Sequence, residues 1–310
     1  MNFTLFLNKL QIYYKKNNIN KVLPSIEFLA WFVGFFEGNN SSFLWLESNN
    51  MKFILVQNVV NKIILEKILY NLNLGYIKKK NNRIYKYIIN NYEELALLIY
   101  LLNGNLVFPS KKTQFDDFLT VFAIRERGYG IVHLRNRNLP EFNNTWLLGF
   151  IESAGTFNVA FKEFSYQIRM FVGKKGISNL PILSKFLLVL KTGHIEGNHR
   201  KETYSYVVAG ATNIPNIFKY FDKHLAHFQG PKKESYLNFK SIHFMIQEEF
   251  YIIPSFLKAL EYGAAYVNSV AKNKKKKKKK KIKMYFAKHY NGYLNYRDYK
   301  FYKKNIRYYS

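Results

Sequence analysis

Two acidic residues, Glu37 and Glu152, stand at the same position of a segment that occurs twice in the chain. Carboxylate oxygens are the ligands that hard divalent ions prefer in proteins. Two positions later the copies carry Asn39 and Ala154, which offer one neutral oxygen and none. The chemistry to consider is therefore binding of a divalent metal ion by carboxylate oxygens, with a pair of acids at one position of the repeat and no acid two positions later.

The repeated segment is apolar and carries small residues four positions apart. Residues 28–43 read FLAWFVGFFEGNNSSF, and residues 145–157 read TWLLGFIESAGTF. Residues four apart share a helix face, so each copy predicts a helix with a stripe of small residues. Such stripes let two helices approach backbone to backbone, and the natural partner of each copy is the other. The predicted interface residues are Gly34, Gly38, Gly149 and Ser153.

Taken with the similar sequence that follows each copy, the two segments resemble the motif of the LAGLIDADG homing endonucleases and intron maturases. The nine motif positions are 32–40 and 147–155, and the resemblance covers roughly residues 25–247. It implies an α+β fold made of a pseudo-two-fold pair of αββαββα halves, each with a curved antiparallel sheet that faces a nucleic-acid duplex. It also implies a single-chain, monomeric form.

The family places one catalytic acid in each half at the eighth motif position, which is Asn39 in the first copy and Ala154 in the second. The paired-carboxylate centre is thus missing from both halves. Glu37 and Glu152 are at the sixth position, about 200° away around the helix. We interpret them as structural or helix-end charges, and as metal ligands only if they have taken over the metal. Residues that match other active-site features of the family are Gln57, Lys112, Lys174 and Lys233.

The predicted elements divide the chain into two halves with extensions. The segments are an N-terminal extension (1–24), the first half (25–124), a linker (125–143), the second half (144–250) and a Lys/Tyr-rich C-terminal extension (251–310). The last helix of each half is predicted at 115–124 and 234–246, and a pair of lysines precedes each one. These pairs are Lys111-Lys112 and Lys232-Lys233.

The charge predicts a polyanionic partner, because 48 Lys and Arg against 20 Asp and Glu give a net charge of +28. We expect nucleic acid, with structured RNA favoured and duplex DNA as the alternative, and neither a membrane nor a small-molecule substrate. Polar residues on a sheet face are usually just solvated, and only the resemblance makes particular cations candidate contacts. These are Lys52, Lys78, Lys80, Arg83, Lys86, Lys162, Arg169 and Arg200.

Several classes of site are excluded or unsupported by the composition. The chain has no cysteine, and its 7 histidines show no spacing typical of metal ligands. No glycine-rich phosphate loop is present, so we expect no cofactor, and Mg²⁺ only if the chain is an active endonuclease. No run of 18 apolar residues occurs, and the first residues do not form a convincing signal or anchor.

The C-terminal extension combines a lysine run with interleaved aromatic and basic residues. Residues 274–281 are eight lysines, and residues 284–310 alternate tyrosine and phenylalanine with lysine and arginine. Aromatic faces stack on unpaired bases while cations follow phosphates, which favours RNA. The competing explanation is drift of an A-rich coding sequence. Richness in Asn, Lys, Ile, Tyr and Phe indicates an A+T-rich genome, and we expect mitochondrial rather than chloroplast coding.

Three hypotheses follow. The first is a nucleic-acid-binding protein of the LAGLIDADG fold that does not cleave, acting on organelle RNA as an intron maturase or within a ribonucleoprotein such as the mitoribosome. The second is an active, site-specific DNA endonuclease whose metal centre uses other groups. The third is a decayed reading frame without a selected function. Asn39 and Ala154 are the residues that separate the first two.

Overall fold

A computed structural model describes residues 1–47, 50–125, 130–134, 138–162, 165–252 and 254–272. In these ranges the helices are α1 (Thr4–Lys16), α2 (Ile26–Gly38), α3 (Lys62–Leu72), α4 (Tyr92–Leu102), α5 (Pro109–Arg125), α6 (Trp146–Ala154), α7 (Leu180–Leu190), α8 (Pro215–Lys223), α9 (Lys232–Gln247) and α10 (Pro254–Lys272). The strands are β1 (Ser42–Glu47), β2 (Asn50–Asn58), β3 (Tyr76–Asn81), β4 (Ile84–Ile89), β5 (Thr156–Lys162), β6 (Ser165–Lys175), β7 (His194–Asn198) and β8 (Thr203–Ala209).

Helix α2 covers the first copy of the repeated segment as far as Gly38, as the repeat predicts. The side chain of Ser25 accepts a hydrogen bond from the backbone N–H of Phe28 at 3.1 Å, which satisfies one free donor of the first turn. The helix ends at Gly38, and the next residue is extended. From Phe28 to Gly38 every residue is buried. A helix that is apolar on all sides belongs in the interior, and this one lies there.

The two four-stranded sheets have the same strand order, β1-β2-β4-β3 and β5-β6-β8-β7. In the first sheet Phe53 pairs with Ile89 and Ile77 with Tyr87, in antiparallel register. Because alternate residues point to opposite faces, this register brings the side chains of Phe53, Tyr87 and Ile89 to one buried face. The order αββαββα occurs twice, over α2–α4 and over α6–α8. The predicted α+β class with duplicated halves is confirmed.

The chain forms two compact units. The first comprises residues 1–155, 171–207 and 219–230, and it contains α2, α6 and the first sheet. The second comprises 156–170 and 208–218 together with the described residues from 231 onward. In the second unit α10 packs against α9 and β5. The Asn268 side chain there accepts a hydrogen bond from Val159 N (3.1 Å) and donates one to Val159 O (2.7 Å), which satisfies backbone groups of an edge strand.

Helices α1 and α10 lie in segments for which the sequence analysis predicts no helix. In α1 the residues Phe6, Leu10 and Tyr14 are four apart and buried, and the Tyr14 hydroxyl donates to Leu72 O at 2.8 Å. Spacing of this kind is the normal signal of an amphipathic helix. The polar and basic residues of these segments concealed the signal, because they made both segments resemble solvated extensions.

Helices α5 and α9 begin earlier than predicted. Each lysine pair was expected to precede its helix, and this expectation is wrong, because α5 begins at Pro109 and α9 at Lys232. Proline suits the start of a helix, where its missing N–H costs nothing and its φ is already helical. Lys111-Lys112 and Lys232-Lys233 therefore lie in first helical turns.

The lysine run and the aromatic-rich segment that follows it lie outside the described residues. Among the helices of the described ranges, none has the length and apolar character needed to cross a bilayer. The predicted boundaries at 25–124, 125–143 and 144–250 stay predictions.

Candidate functional site

Helices α2 and α6 touch through their glycines. A Cβ atom built on Gly34 would lie 1.9 Å from the carbonyl oxygen of Trp146, and one built on Gly149 would lie 2.0 Å from that of Trp31. Further along, a Cβ on Gly38 would be 2.8 Å from Ser153 Cβ. The four predicted interface residues thus lie at the contact. We call the C-terminal ends of α2 and α6, where Gly38 meets Ser153, the helix junction.

Glu37 is fully buried and bonded to three donors. Its carboxylate accepts hydrogen bonds from Trp146 Nε1 at 2.7 Å, Val107 N at 2.9 Å and Phe108 N at 2.7 Å. Burial raises the pKa of Glu37 to about 7, against the opposing effects of these donors and of the Lys174 ammonium group. Both oxygens of the Glu37 carboxylate therefore accept hydrogen bonds from donors within the protein.

Glu152 repeats the arrangement in the second copy. Its carboxylate accepts hydrogen bonds from Trp31 Nε1 at 2.8 Å, Gly230 N at 2.6 Å and Gln229 N at 3.1 Å. Each glutamate therefore binds the indole of the opposite helix and two backbone N–H groups just before or at the start of a later helix. Trp31 and Trp146 were not among the predicted site residues. Their signal was the same residue type at the same position of both copies.

The two eighth motif positions offer poor metal ligands. Asn39 is 7% exposed; its Oδ1 accepts a hydrogen bond from Ser41 N at 2.9 Å, and its Nδ2 donates to Val56 O at 3.3 Å. Ala154, the last residue of α6, has no ligand atom in its side chain. Among the residues that the structure describes, no group of three or more His, Cys, Asp or Glu could hold a metal ion. The residues at the helix junction do not fit the Mg²⁺ centre that the fold implies.

Two lysines lie buried close to the helix junction. The Lys174 ammonium group donates a hydrogen bond to the backbone oxygen of Glu37 and lies 5.4 Å from the ring centroid of Phe108. The Lys111 ammonium group lies 4.6 Å from the ring centroid of Phe36. Burial, followed by the charge of Lys174, lowers the pKa of Lys111 to about 8, and burial also lowers that of Lys174. The junction is therefore occupied by cationic groups.

The remaining active-site candidates are not all brought together. Gln57 lies near the end of β2, and its side chain accepts a hydrogen bond from Asn61 Nδ2 at 3.1 Å. Lys112 is half-buried in the first turn of α5. Lys233 is half-buried in the first turn of α9, which belongs to the second unit.

Three of the predicted nucleic-acid contacts share one face of the first sheet. Lys86 pairs with Lys78 on one side and with Val56 on the other, and Lys52 is four residues before Val56 on β2. With the period of two along strands, Lys52, Lys78 and Lys86 point the same way. Lys78 opposite Lys86 is a like-charge pair, which destabilises a sheet unless an anion lies between the charges. Lys80 and Arg83 are exposed at the adjoining turn.

The second-half candidates are spread over three elements. Lys162 is exposed at the end of β5, and Arg169 is half-buried in β6. Arg200 is exposed in the turn between β7 and β8. The candidates of the second half thus lie in different elements, whereas Lys52, Lys78 and Lys86 share one face of the first sheet.

The comparisons with known proteins agree with this geometry. The family described as LAGLIDADG endonuclease matches residues 32–122 and 147–243, more than half of the chain. A probable intron-encoded endonuclease 4 of Neurospora crassa is 25% identical over 227 residues, which are 71% of this chain and 40% of that protein. The uncharacterized mitochondrial protein RF1 of Saccharomyces cerevisiae is 24% identical over 220 residues, 58% of this chain and 43% of that protein. The chain thus spans less than half the length of these relatives.

Solved structures share the fold. Meganuclease I-SmaMI bound to uncleaveable DNA superposes with a TM-score of 0.67 at 18% identity, covering 79% of this chain and 98% of that one. The homing endonuclease I-GzeII in complex with its DNA target gives a TM-score of 0.61 at 18% identity, covering 77% and 98%. The two matched segments begin within the paired helices α2 and α6. The chain belongs to the LAGLIDADG endonuclease family, in the form that carries both motifs in one polypeptide.

Proposed function

We propose that this chain binds nucleic acid and does not cleave it. The observation that carries the proposal is the helix junction, where Asn39 and Ala154 stand in place of carboxylates and the ammonium group of Lys174 bonds to the end of α2. Hydrolysis of a phosphodiester by this fold needs divalent ions held by oxygen ligands. Without those ligands the scaffold keeps its binding surface and loses its reaction.

The binding surface is the basic face of the first sheet, defined by Lys52, Lys78 and Lys86. Its charges suit the regularly spaced phosphates of a duplex or of a structured RNA, and binding would release counterions from the phosphates. The like-charge pair of Lys78 and Lys86 gains stability when a phosphate lies between them.

Structured RNA in a mitochondrion is the target that we favour. The aromatic and basic residues of 284–310 suit unpaired bases and their phosphates. One of the relatives is named as an intron-encoded endonuclease and the other as a mitochondrial protein. The role would be that of an intron maturase or of a protein within a ribonucleoprotein. The second candidate, a DNA endonuclease, draws its support from the DNA complexes of the solved structures.

The test compares a self-folding group I intron RNA with a DNA duplex that has been selected for binding from a random-sequence library. Affinity for the full-length chain is measured by fluorescence anisotropy against salt, and duplex samples in Mg²⁺ or Mn²⁺ are analysed for nicks. We expect both ligands to bind with a steep salt dependence, RNA to bind more tightly, and both DNA strands to stay intact. Metal-dependent, site-specific cleavage would overturn the proposal, and absence of any binding would favour a decayed reading frame.

A further inference from the structure

The position of Lys174 differs from that of an ordinary surface lysine. Along β6 the alternate residues Met170 and Val172 are buried, and Lys174 continues this buried row at 7% exposure. Its ammonium group lies 5.4 Å from the ring centroid of Phe108 and 5.9 Å from that of Phe150, and it donates to the backbone oxygen of Glu37. A lysine is seldom buried unless its charge is paired with a group of opposite charge or partial charge.

At the helix junction, the C-terminal ends of α2 and α6 are the partner of this charge. The last four carbonyl groups of a helix have no partner within it, and the C-terminal end carries a partial negative charge. Glu37 is in the last turn of α2, and Gly38 lies against Ser153 near the end of α6. Two negative helix ends therefore meet where the Lys174 ammonium group is bound. A cation at this place is favourable whether it is a metal ion or a side chain.

The first half shows that a lysine is not required by the local fold. Gln57 and Lys174 each lie shortly before a backbone N–H that bonds to the following hairpin: Val59 N donates to Arg83 O, and Gly176 N donates to Glu202 O, both at 2.8 Å. At this shared position Gln57 bonds to the side chain of Asn61 in its own half. Glutamine is thus compatible with the strand end, and the lysine in the second half has its own reason.

We infer that Lys174 is a built-in cation, which supplies the positive charge of a metal ion at the helix junction and keeps divalent ions out. A divalent ion there would meet the ammonium groups of Lys174 and Lys111, and it would lack the carboxylates that normally compensate its charge. Through space, the positive charge of the buried ammonium group still attracts a nucleic-acid phosphate at the junction without any metal. This inference rests on the proposed function in one respect, namely that the ligand of the junction is a phosphodiester.

The first experiment measures Mn²⁺ binding by electron paramagnetic resonance, which does not depend on activity. The parent chain, the variant Asn39→Asp/Ala154→Asp and the same variant with Lys174→Gln added are compared. We expect no bound Mn²⁺ in the parent and at least about tenfold tighter binding in the triple variant than in the double variant. Equal binding by the double and triple variants, or no binding by a folded triple variant, would overturn the inference. Circular dichroism establishes that each variant is folded.

The second experiment keeps the inference falsifiable if the acidic variants fail to fold. Affinity for the selected DNA duplex is measured in the presence of EDTA for the parent, for Lys174→Gln and for Lys185→Gln. Lys185 is the control because its side chain is exposed on α7. We expect about tenfold weaker binding by Lys174→Gln and a smaller salt slope, with little change for the control. If the parent binds and Lys174→Gln binds equally well, the inference fails and the proposed function stands. If the parent does not bind at all, the proposed function fails.

Discussion

Helix α2 carries Trp31, Gly34 and Glu37, and helix α6 carries Trp146, Gly149 and Glu152 in the same spacing. Each glycine lies against a backbone oxygen of the other helix, and each glutamate binds the indole of the other helix. These contacts are reciprocal, so a change in one copy would leave a buried group of the other without its partner. Because of this packing, the residues at these positions are the same in the two helices.

The same two copies differ where chemistry would take place. Asn39 corresponds to Ala154, and Gln57 to Lys174. The helix pair is held by contacts that do not involve these positions, because the glycines and the Glu–Trp bonds lie elsewhere along the helices. The contacts that hold the two helices together therefore do not depend on the residues at the two eighth motif positions.

The two outer hairpins differ in charge as well. The hairpin of β3 and β4 contains five basic residues and no acid, whereas that of β7 and β8, with its turn, contains two basic and two acidic residues. In the second hairpin Glu196 and Glu202 offset Arg200 and Lys201. We therefore expect the two halves to contribute unequally to binding.

The largest expected effect breaks the reciprocal helix contact. Gly34→Ala and Gly149→Ala each place a Cβ within about 2 Å of a backbone oxygen, and overpacking of this kind is expected to cost about 3 kcal/mol or more. Urea unfolding of the two variants should show similar losses. Gly210→Ala is the control, because its Cβ would meet open space and only the left-handed φ of 86° costs about 1 kcal/mol. Unequal losses, or a loss no larger than that of the control, would contradict the reciprocal packing.

The next effect concerns the Glu–Trp bonds. Trp31→Phe and Trp146→Phe each remove one N–H donor from a buried carboxylate, and each should lower the free energy of unfolding by about 1.5 to 3 kcal/mol. A double-mutant cycle with Glu152→Gln and Glu37→Gln measures the coupling of each pair. Coupling in one pair and none in the other would show that the halves are not equivalent even in their scaffold.

The third effect separates the hairpins by charge. Lys78→Gln together with Lys86→Gln should weaken binding of a duplex by about 10- to 100-fold and reduce the salt slope by about 2. Arg200→Gln together with Lys201→Gln should have a smaller effect, since acids already neutralise that hairpin. The measurement is a salt titration of affinity for all three proteins. Equal losses would mean that both sheets contact the ligand alike.

The smallest effect is a pH dependence of stability. In the folded protein burial lowers the pKa of Lys111 from 10.5 to about 8. Between these values the unfolded chain binds more protons at this residue, so the contribution of Lys111 to stability rises as pH increases from 8 to 10.5. The difference in urea midpoint between the parent and Lys111→Met should change in that direction over this range. A difference that does not vary with pH would place the Lys111 ammonium group in contact with solvent.

Much of the scaffold could be predicted because its signals are local. Ser25 caps α2 and Gly38 ends it, so the bounds of this helix follow from short-range chemistry. The repeat predicted the glycine contact, because a small-residue stripe in an apolar helix has few other uses. Helix α1 was missed although Phe6 and Leu10 are four residues apart, since the scattered polar and basic residues made that segment resemble a solvated extension.

The functional site was less predictable because its bonds join residues far apart in the chain. The Trp31–Glu152 bond joins residues 121 positions apart, and no local pattern reveals it. The burial of Lys174 could have been inferred from its alternation with Met170 and Val172. Its bond to the oxygen of Glu37 required the assembled helix pair. Tertiary contacts therefore decide which of the predicted cations face solvent and which lie at the helix junction.

The most direct measurement is the metal dependence of nucleic-acid binding by the unaltered full-length chain. Affinity for the duplex is determined with EDTA and with Mg²⁺ at matched ionic strength, and the duplex is recovered and analysed for nicks. We expect equal affinities in both conditions and uncut DNA, because the lysines at the helix junction already supply the positive charge of that site. Binding that requires Mg²⁺ would contradict a metal-free junction. Cleavage that Glu37→Gln or Glu152→Gln abolishes would also contradict it, and would make the sixth-position acids metal ligands.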